Sequence, residues 1–288
     1  MKAASVPVYC IDSYPDGHGQ GEFYAQRLET LIASFAGIDK AHTHDFYMLL
    51  YIRQGSGTHT IDFVTYPVQP GYLFFLAPGQ MHSWELSPDS TGYLLFFEAG
   101  FYLHTYPSSR LHEYPFFQPL RSHLVDLSAQ EPPFPALLDQ LMREAESGFD
   151  NRLEVLRGCL FVLLELAARH ANHEEASAGG TLRQAQQVRE FEALLEQHFR
   201  TEKTVQYYAQ RLSLTPNHLN ALCRQQRGHT ASDLIQRRVL VEAQRLLVHA
   251  EQPVKQLAAE LGFQDASYFG RFFRKRTGMT PEQFRANR

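Results

Sequence analysis

Residues 205–230, VQYYAQRLSLTPNHLNALCRQQRGHT, and residues 254–280, VKQLAAELGFQDASYFGRFFRKRTGMT, repeat one pattern that decides the fold of this half of the chain. The copies align at an offset of 49 residues, and one residue inserted in the turn lets the match continue. The matching pairs are Val205 with Val254, Leu212 with Leu261, Leu214 with Phe263, Leu219 with Phe269, Leu222 with Phe272, Gly228 with Gly278 and Thr230 with Thr280. A fixed period of this kind indicates a duplicated structural unit.

Each copy predicts two short helices joined by a turn. In the first copy, Thr215 can cap the second helix through its hydroxyl, and Pro216 suits a first helical position, where no N–H is needed. In the second copy, Gly262 can supply the positive φ that ends a helix, and Asp265 can cap the helix that follows. Both copies therefore predict a helix-turn-helix unit.

The second helix of each unit predicts one apolar and one polar face. Leu219 and Leu222 face inward in the first copy, and Phe269, Phe272 and Phe273 do so in the second. Amides and guanidinium groups on the outer face can make bidentate contacts with base edges in the major groove. The candidate DNA-contacting residues are Asn217, His218, Asn220, Ala221, Arg224, Ser267, Tyr268, Arg271, Arg274 and Lys275.

A long helix is predicted between the copies. Thr230-Ala231-Ser232-Asp233 is a helix-start signal, and apolar residues continue at helical spacing to about His249. Such a helix of roughly 18 residues spans about 27 Å, close to the 34 Å of one DNA turn, so both units could enter one face of a duplex. The plainer alternative is a helical bundle whose basic residues only solvate its surface.

The C-terminal motifs resemble the DNA-binding domain of AraC/XylS transcription regulators over about residues 182–286. The resemblance implies two helix-turn-helix units on one long helix, and base reading by Asn217, Asn220 and Ala221, then by Ser267, Tyr268 and Arg271. Ala221 stands where some relatives carry arginine. The matching runs are Ala243-Gln244-Arg245-Leu246-Leu247, Leu257-Ala258-Ala259-Glu260-Leu261-Gly262-Phe263, Ser267-Tyr268-Phe269, Phe272-Phe273-Arg274-Lys275 and Thr277-Gly278-Met279-Thr280-Pro281.

Charge divides the chain into an acidic and a basic part. Residues 181–288 contain 17 Lys and Arg against 10 Asp and Glu, a net of +7, and the remaining 10 basic and 21 acidic residues leave −11 on residues 1–180. This asymmetry indicates a nucleic-acid partner for the basic part. Cys10, Cys159 and Cys223 lack metal-ligand spacing and fit reduced thiols, and no stretch approaches a membrane span, so we expect a cytoplasmic protein.

The N-terminal part predicts a sandwich or small barrel of short strands with trailing helices. Short apolar runs separated by Gly and Pro turns extend from about residue 42 to 101, and helical spacing follows in residues 134–149 and 151–172. The second helix has apolar surface to spare for another subunit. The small residues from Ala176 indicate a linker at 176–181. The expected domains are therefore residues 1–175 and 182–288.

Three histidines are the candidate ligand-binding residues of the N-terminal part. His42 and His44 are two apart on one strand and face the same side, and His82 could meet them from a neighbouring strand. Together with the Pro78-Gly79 turn, Gly71 and the strand pattern, they resemble the cupin barrel that AraC-type regulators often carry as a sensor domain. The resemblance covers about residues 40–100 and implies a cupin-like β-barrel. The glutamate of metal-binding cupins is absent, so we expect no metal and no cofactor. The candidate effector-binding residues are His42, His44, Phe46, His82 and Trp84.

Other roles for these residues stay open at this level. The histidines could bind an organic ligand, hold a metal or serve only structure, and Trp84 could stack on a ligand or belong to the core. We expect a two-domain α+β transcription regulator, not an enzyme, that binds promoter DNA and a small-molecule effector, forms a homodimer and contacts RNA polymerase. The alternatives are a cupin metalloenzyme fused to a DNA-binding module, and an architectural DNA binder without an effector. Activation and repression are not distinguished.

Overall fold

The computed structural model describes residues 6–14, 21–35, 39–107, 111–128, 133–176 and 181–286. The chain divides into two compact units, Pro7–Asn172 and His173–Arg288, called here the N-terminal and C-terminal units. The centre of the predicted linker, residues 177–180, lies outside the described residues. The domain limits of the sequence analysis therefore stay a prediction.

The N-terminal unit is rich in antiparallel strands, as predicted. Its helices are α1 (Leu28–Ser34), α2 (Ala99–Thr105), α3 (Phe134–Ala145) and α4 (Arg152–Ala176). Its strands are β1 (Val8–Tyr9), β2 (Phe23–Arg27), β3 (Thr43–His44), β4 (Tyr47–Gln54), β5 (Gly57–Ile61), β6 (Val64–Val68), β7 (Tyr72–Leu76), β8 (His82–Leu86), β9 (Thr91–Phe97) and β10 (Leu124–Asp126).

Two sheets enclose the barrel interior. Five strands pair in the order β10-β7-β4-β9-β2 and three in the order β6-β5-β8. Along β4, Leu50 faces the interior shared with Trp84 of β8, whereas its neighbour Leu49 faces the core that contains α3 and α4. Successive strand side chains point to opposite faces, and both faces are buried here. That is why β4, β7 and β9 are continuous apolar runs rather than alternating ones.

The two trailing helices differ from the predicted limits. The first ends at Ala145 rather than at residue 149, because Glu146 and Ser147 turn back to the carbonyl groups of Met142 and Glu144. The Ser147 hydroxyl also donates to the Glu144 carboxylate at 3.1 Å. The second helix begins at Arg152 and extends to Ala176, past the predicted end at residue 172.

The C-terminal unit is all helical and consists, in its described residues, of two consecutive groups of three helices and a seventh helix after them. Its long helix, α8 (Ala231–His249), has 19 residues and spans about 28 Å at the rise of an α-helix. Helices α5, α6 and α7 precede the corresponding helices α8, α9 and α10 in the chain. The helices are α5 (Leu182–His198), α6 (Val205–Arg211), α7 (Pro216–Arg227), α8 (Ala231–His249), α9 (Val254–Glu260), α10 (Ala266–Thr277) and α11 (Pro281–Ala286).

The predicted start and stop signals of these helices are confirmed. The Thr215 hydroxyl accepts from the His218 N–H at 3.2 Å, with Pro216 in the first turn of α7. The Asp265 carboxylate accepts from the Ser267 N–H at 2.8 Å, and Gly262 has a φ of 74°. A Cβ on Gly262 would lie 2.0 Å from the backbone oxygen of Arg200, so this turn needs glycine for its close approach as well.

Candidate nucleic-acid interface and ligand site

Helices α7 and α10 present their polar side chains to solvent. Tyr268 is 58% exposed, so most of its ring is available to a partner. Leu219 and Phe269 are fully buried on the opposite faces and hold the helices against their units. The candidate DNA-contacting residues that are exposed are Asn217, His218, Ala221, Arg224, Ser267, Tyr268, Arg271, Arg274 and Lys275.

Asn220 is the one candidate of this set that is half-buried. Its amide oxygen accepts from the backbone N–H of Ser232 at 3.3 Å, at the start of α8. The side chain thereby braces α7 against the long helix. A reading role for Asn220 stays a prediction, and in this conformation it would rest on the amide nitrogen alone.

Ion pairs separate the basic residues of the C-terminal unit into two groups. Arg227 donates to Glu192 at 2.6 Å, Arg276 to Asp233 at 2.8 Å, and Arg238 to Glu196 at 2.9 Å. These guanidinium groups tie the helices of the unit together. Within the described residues, the cations of α7 and α10 that make no ion pair are Arg224, Arg271, Arg274 and Lys275.

The unpaired cations lie on the exposed faces that the sequence assigned to DNA. No described carboxylate forms an ion pair with them, so their charge remains for phosphate or base acceptors. Arg271 lies beside Tyr268, with its guanidinium carbon 5.9 Å from the ring centroid. This distance is within the range of a cation–π contact, which orients the side chain along the exposed face.

The three predicted histidines of the barrel come together, and a fourth joins them. His42 and His82 form a β-bridge with ring centroids 4.2 Å apart, and the rings of His44 and His82 are 5.2 Å apart. His59 of β5 lies on the other side, with its Nε2 3.1 Å from Nδ1 of His82. These four side chains form the histidine quartet, and all four are buried.

Sequence reasoning missed His59. Its only signal was the alternation of Thr58-His59-Thr60-Ile61, which places His59 on the face opposite to Thr58 and Thr60. That pattern does not show which strand pairs with β5. The register places His59 opposite Trp84 and next to His82, and only this pairing reveals the quartet.

Burial keeps the quartet neutral. It lowers the pKa of His44 and of His59 to about 3, and it lowers the pKa of His42 and His82 as well, with the neighbouring imidazoles adding to the shift of His82. The Nδ1 atoms of His42 and His44 donate to the backbone oxygens of Lys40 and Phe46.

Among the residues that the structure describes, three ring nitrogens of the quartet find no hydrogen-bond partner: Nε2 of His44, Nδ1 of His59 and Nε2 of His82. Unpaired polar atoms are rare inside proteins and usually have a reason. In the neutral tautomer that donates through Nδ1, Nε2 of His44 is an acceptor. Within the described ranges, however, no group of three His, Cys, Asp or Glu side chains is arranged to hold a metal ion.

Phe46 and Trp84 enclose the quartet. The Phe46 ring stacks on His44 with centroids 4.4 Å apart, and Trp84 lies edge-on to His59 and His82. Trp84 is 3% exposed and also borders a pocket of about 510 Å³. The other residues of this pocket are Glu29, Ile32, Ala33, Phe35, Asp39, Glu85, Leu86, Ser87, Pro88 and Ser90.

The turn that leads into His82 is fixed by a buried polar network. The Gln80 amide nitrogen donates to the Asp62 carboxylate at 2.7 Å, and its oxygen accepts from the Ala77 N–H at 2.6 Å. Nε2 of His123 lies 3.0 Å from the same amide nitrogen. A fully bonded buried network of this kind holds the quartet's strands in one arrangement.

A β-rich unit with a buried polar cluster, followed by two helix-turn-helix units with unpaired cations, defines a transcription regulator with separate ligand-binding and DNA-binding parts. Residues 28–156 match the AraC-like ligand binding domain, and residues 208–287 match a helix-turn-helix domain. The chain belongs to the AraC family of transcription regulators. Within the described residues, each helix is too short or too polar to cross a membrane.

Relatives cover most of the chain. The HTH-type transcriptional activator RhaS of Escherichia fergusonii is 25% identical over 86% of this chain and 87% of its own length, and RhaS of Salmonella typhimurium is 24% identical over the same shares. Among solved structures, unsaturated fatty acid bound ToxT from Vibrio cholerae is 14% identical, with a TM-score of 0.44 over 92% of this chain and 93% of that chain.

Proposed function

We propose that the chain reads two successive major-groove segments of promoter DNA with α7 and α10. The supporting observation is that both helices keep unpaired cations on exposed faces while the other arginines of these helices are bound to carboxylates. Asn217, His218, Ala221 and Arg224 would make the first set of contacts, with Asn220 in a bracing position. Ser267, Tyr268, Arg271, Arg274 and Lys275 would make the second set.

The long helix supports binding to one face of the duplex. Its span of about 28 Å approaches the 34 Å between major-groove segments one turn apart. Asn220 of α7 bonds to Ser232 of α8, and Arg276 of α10 pairs with Asp233 of α8. These contacts limit how far the two reading helices can move apart. We therefore expect binding to require a fixed spacing between two half-sites.

The barrel would bind the effector at the histidine quartet, with Phe46 and Trp84 as aromatic walls. The unpartnered nitrogens of His44 and His82 support this assignment, because a ligand would supply the missing hydrogen bonds. Burial keeps both rings neutral, so the site suits a small organic ligand with hydroxyl or amide groups rather than an ion. The chain would act as a regulator without enzymatic activity.

Further partners complete the proposal. Val162 on α4 is 45% exposed and Phe149 just before this helix is 71% exposed, which supports a homodimer formed through the trailing helices. The names of the relatives, transcriptional activators, support activation of transcription by this chain. An activator would contact RNA polymerase, and we expect both to act in the cytoplasm. The domains would be residues 1–175 and 182–288.

The test has two arms. The full chain is incubated with a pool of random duplexes, and bound DNA is amplified and sequenced over several rounds; two conserved half-sites about one turn apart are the expected outcome. A thermal-shift screen of metabolites then seeks the effector, since a ligand at 100 times its Kd stabilises by about 2.7 kcal/mol. Absence of any enriched sequence at low salt would contradict the DNA-reading role.

The matched variants separate the two sites. Arg271→Ala should relax the enrichment at one or two base pairs of one half-site, whereas Arg237→Ala, on α8 and paired with Asp233, should leave the selected sequence unchanged. His82→Phe should remove the thermal shift of an effector that binds the quartet, and His104→Phe, outside the quartet, should retain it. An effector that still stabilises the His82→Phe variant in full binds elsewhere.

A further inference from the structure

A groove runs along one flank of α10, between that helix and α8. Its volume is about 340 Å³. Tyr268, Arg271, Phe272 and Lys275 form the α10 wall, so Phe272, predicted to face inward, is half-buried and borders the groove. The opposite wall and floor are formed by Lys203, Ile235, Gln236, Val239 and Phe263.

Lys203 reaches this groove from the segment between α5 and α6. Its Nζ donates to the backbone oxygen of Arg200 at 2.8 Å and lies 4.9 Å from the centroid of the Phe263 ring. These two contacts fix the position of the ammonium. Within the described residues Lys203 makes no ion pair, and its neighbour Glu202 acts on it only at longer range.

The surroundings of Lys203 compensate its charge only in part. Burial lowers the pKa of Lys203, with Glu202 opposing the shift only in part. A half-buried ammonium that has lost part of its water gains more from an anion than one in bulk solvent, because the local dielectric constant is lower. The aromatic rings of Phe263, Tyr268 and Phe272 supply that low-dielectric lining.

The position of the groove points to a strand of the DNA backbone. An α-helix with its side chains is about 10–12 Å wide and the major groove about 12 Å, so a helix that enters it lies between the two backbones. Arg271 lies on the ridge of α10, with the Lys203 groove on one flank and a second concavity on the other. Each flank then faces one sugar-phosphate strand.

We propose that the groove between α8 and α10 receives a backbone phosphate of the bound duplex, held by Lys203 from one wall and Lys275 from the other. Lysine suits this task because its compact charge needs no planar partner, and a phosphate carries no base identity. Lys203, which lies between α5 and α6, would thus help to hold the second reading helix, α10, on the DNA. The proposal rests on DNA binding by α10.

Counterion release tests this contact. The affinity of the full-length chain for its selected duplex and for a random duplex is measured by fluorescence anisotropy between 50 and 200 mM salt. Two neutral variants are compared, Lys203→Gln and Lys203→Met, with Lys203→Arg as the charge-retaining variant. Arg189→Gln is the control, since Arg189 is exposed on α5 and borders neither concavity beside α10.

Loss of one phosphate contact should make the negative slope of log K against log[salt] less steep by about 0.9. Over this fourfold salt range, the factor by which salt weakens binding should then be about 3.5-fold smaller than for the wild type. Both neutral variants should show this change equally on selected and random DNA, Lys203→Arg should restore the wild-type slope, and Arg189→Gln should not change it. Melting temperatures of the four variants identify any variant that is unfolded.

The outcomes separate this inference from the function it rests on. Wild-type chain that fails to bind DNA at 50 mM salt would refute both. Wild-type binding with an unchanged slope in Lys203→Gln and Lys203→Met would refute the phosphate contact alone. A loss confined to the selected duplex would also refute it, because it would assign Lys203 to base recognition or to the position of α10.

Discussion

Replacing Arg271 and Arg274 separately by alanine should distinguish base reading from phosphate binding on a single helix. Both residues are exposed on α10 and neither makes an ion pair within the described residues, so the folded state should lose no more than about 0.5 kcal/mol in either variant. Differences in DNA binding can therefore be assigned to lost DNA contacts. Arg271 lies on the ridge of α10 that we propose enters the major groove, and Arg274 lies one turn later, near the end of the helix.

The two variants should lose DNA affinity in different ways, Arg271→Ala on specific base pairs and Arg274→Ala on all sequences. Arg271→Ala should cost about 1–3 kcal/mol on the selected duplex, a loss of about 5-fold to 150-fold in affinity, and should relax preference at one or two base pairs. Arg274→Ala should weaken all sequences about equally and lower the salt slope by about one unit. Anisotropy titrations with the selected duplex, its single-base variants and random DNA measure both effects. Equal losses for Arg271→Ala on selected and random DNA would show that α10 docks on phosphates, and the assigned reading face would be wrong.

Four further outcomes are expected. Residues 181–288 alone should bind DNA with a salt slope of roughly −5 if about six phosphates are contacted, and a folded fragment without affinity at low salt would contradict this. Arg238→Met should destabilise by about 1–3 kcal/mol in urea unfolding, because it leaves Glu196 without its partner and Glu242 with Arg200 alone, whereas Arg237→Met should cost at most about 0.5 kcal/mol because its i,i+4 pair with Asp233 is exposed. Between pH 6.5 and 5, His44 and His59 bind protons in the unfolded chain but stay neutral in the folded one, so the free energy of unfolding should fall with decreasing pH by up to about 1.4 kcal/mol per pH unit for each histidine. Urea unfolding followed by the fluorescence of the single tryptophan measures this dependence. A free energy of unfolding that does not change with pH would show that the two rings are not buried in the neutral form. Elemental analysis of chain purified without added metal should find well below one zinc, iron, nickel or manganese per chain, and one equivalent would restore the metalloenzyme alternative.

The sequence by itself determined the architecture of the C-terminal unit. Its signals are local: Thr215 and Asp265 cap helices a few residues away, and Gly262 adopts the positive φ that its turn needs. A duplicated local pattern also fixes which helix faces are buried, since Leu219 and Phe269 recur at the same position of each copy. Such capping bonds span two or three residues, so they can be predicted without knowing which distant elements meet.

The tertiary structure alone decided which polar side chains are free. Arg227 is bound to Glu192, a residue of another helix 35 positions earlier in the chain, whereas Arg224 makes no ion pair within the described residues. The sequence alone does not show which of the two arginines is available to DNA. His59 joins the quartet only because β5 pairs with β8, and Asn220 braces α8 only because the helices pack as they do. Long-range pairing leaves no periodic trace in the sequence, since a partner is selected by packing and register and not by spacing along the chain.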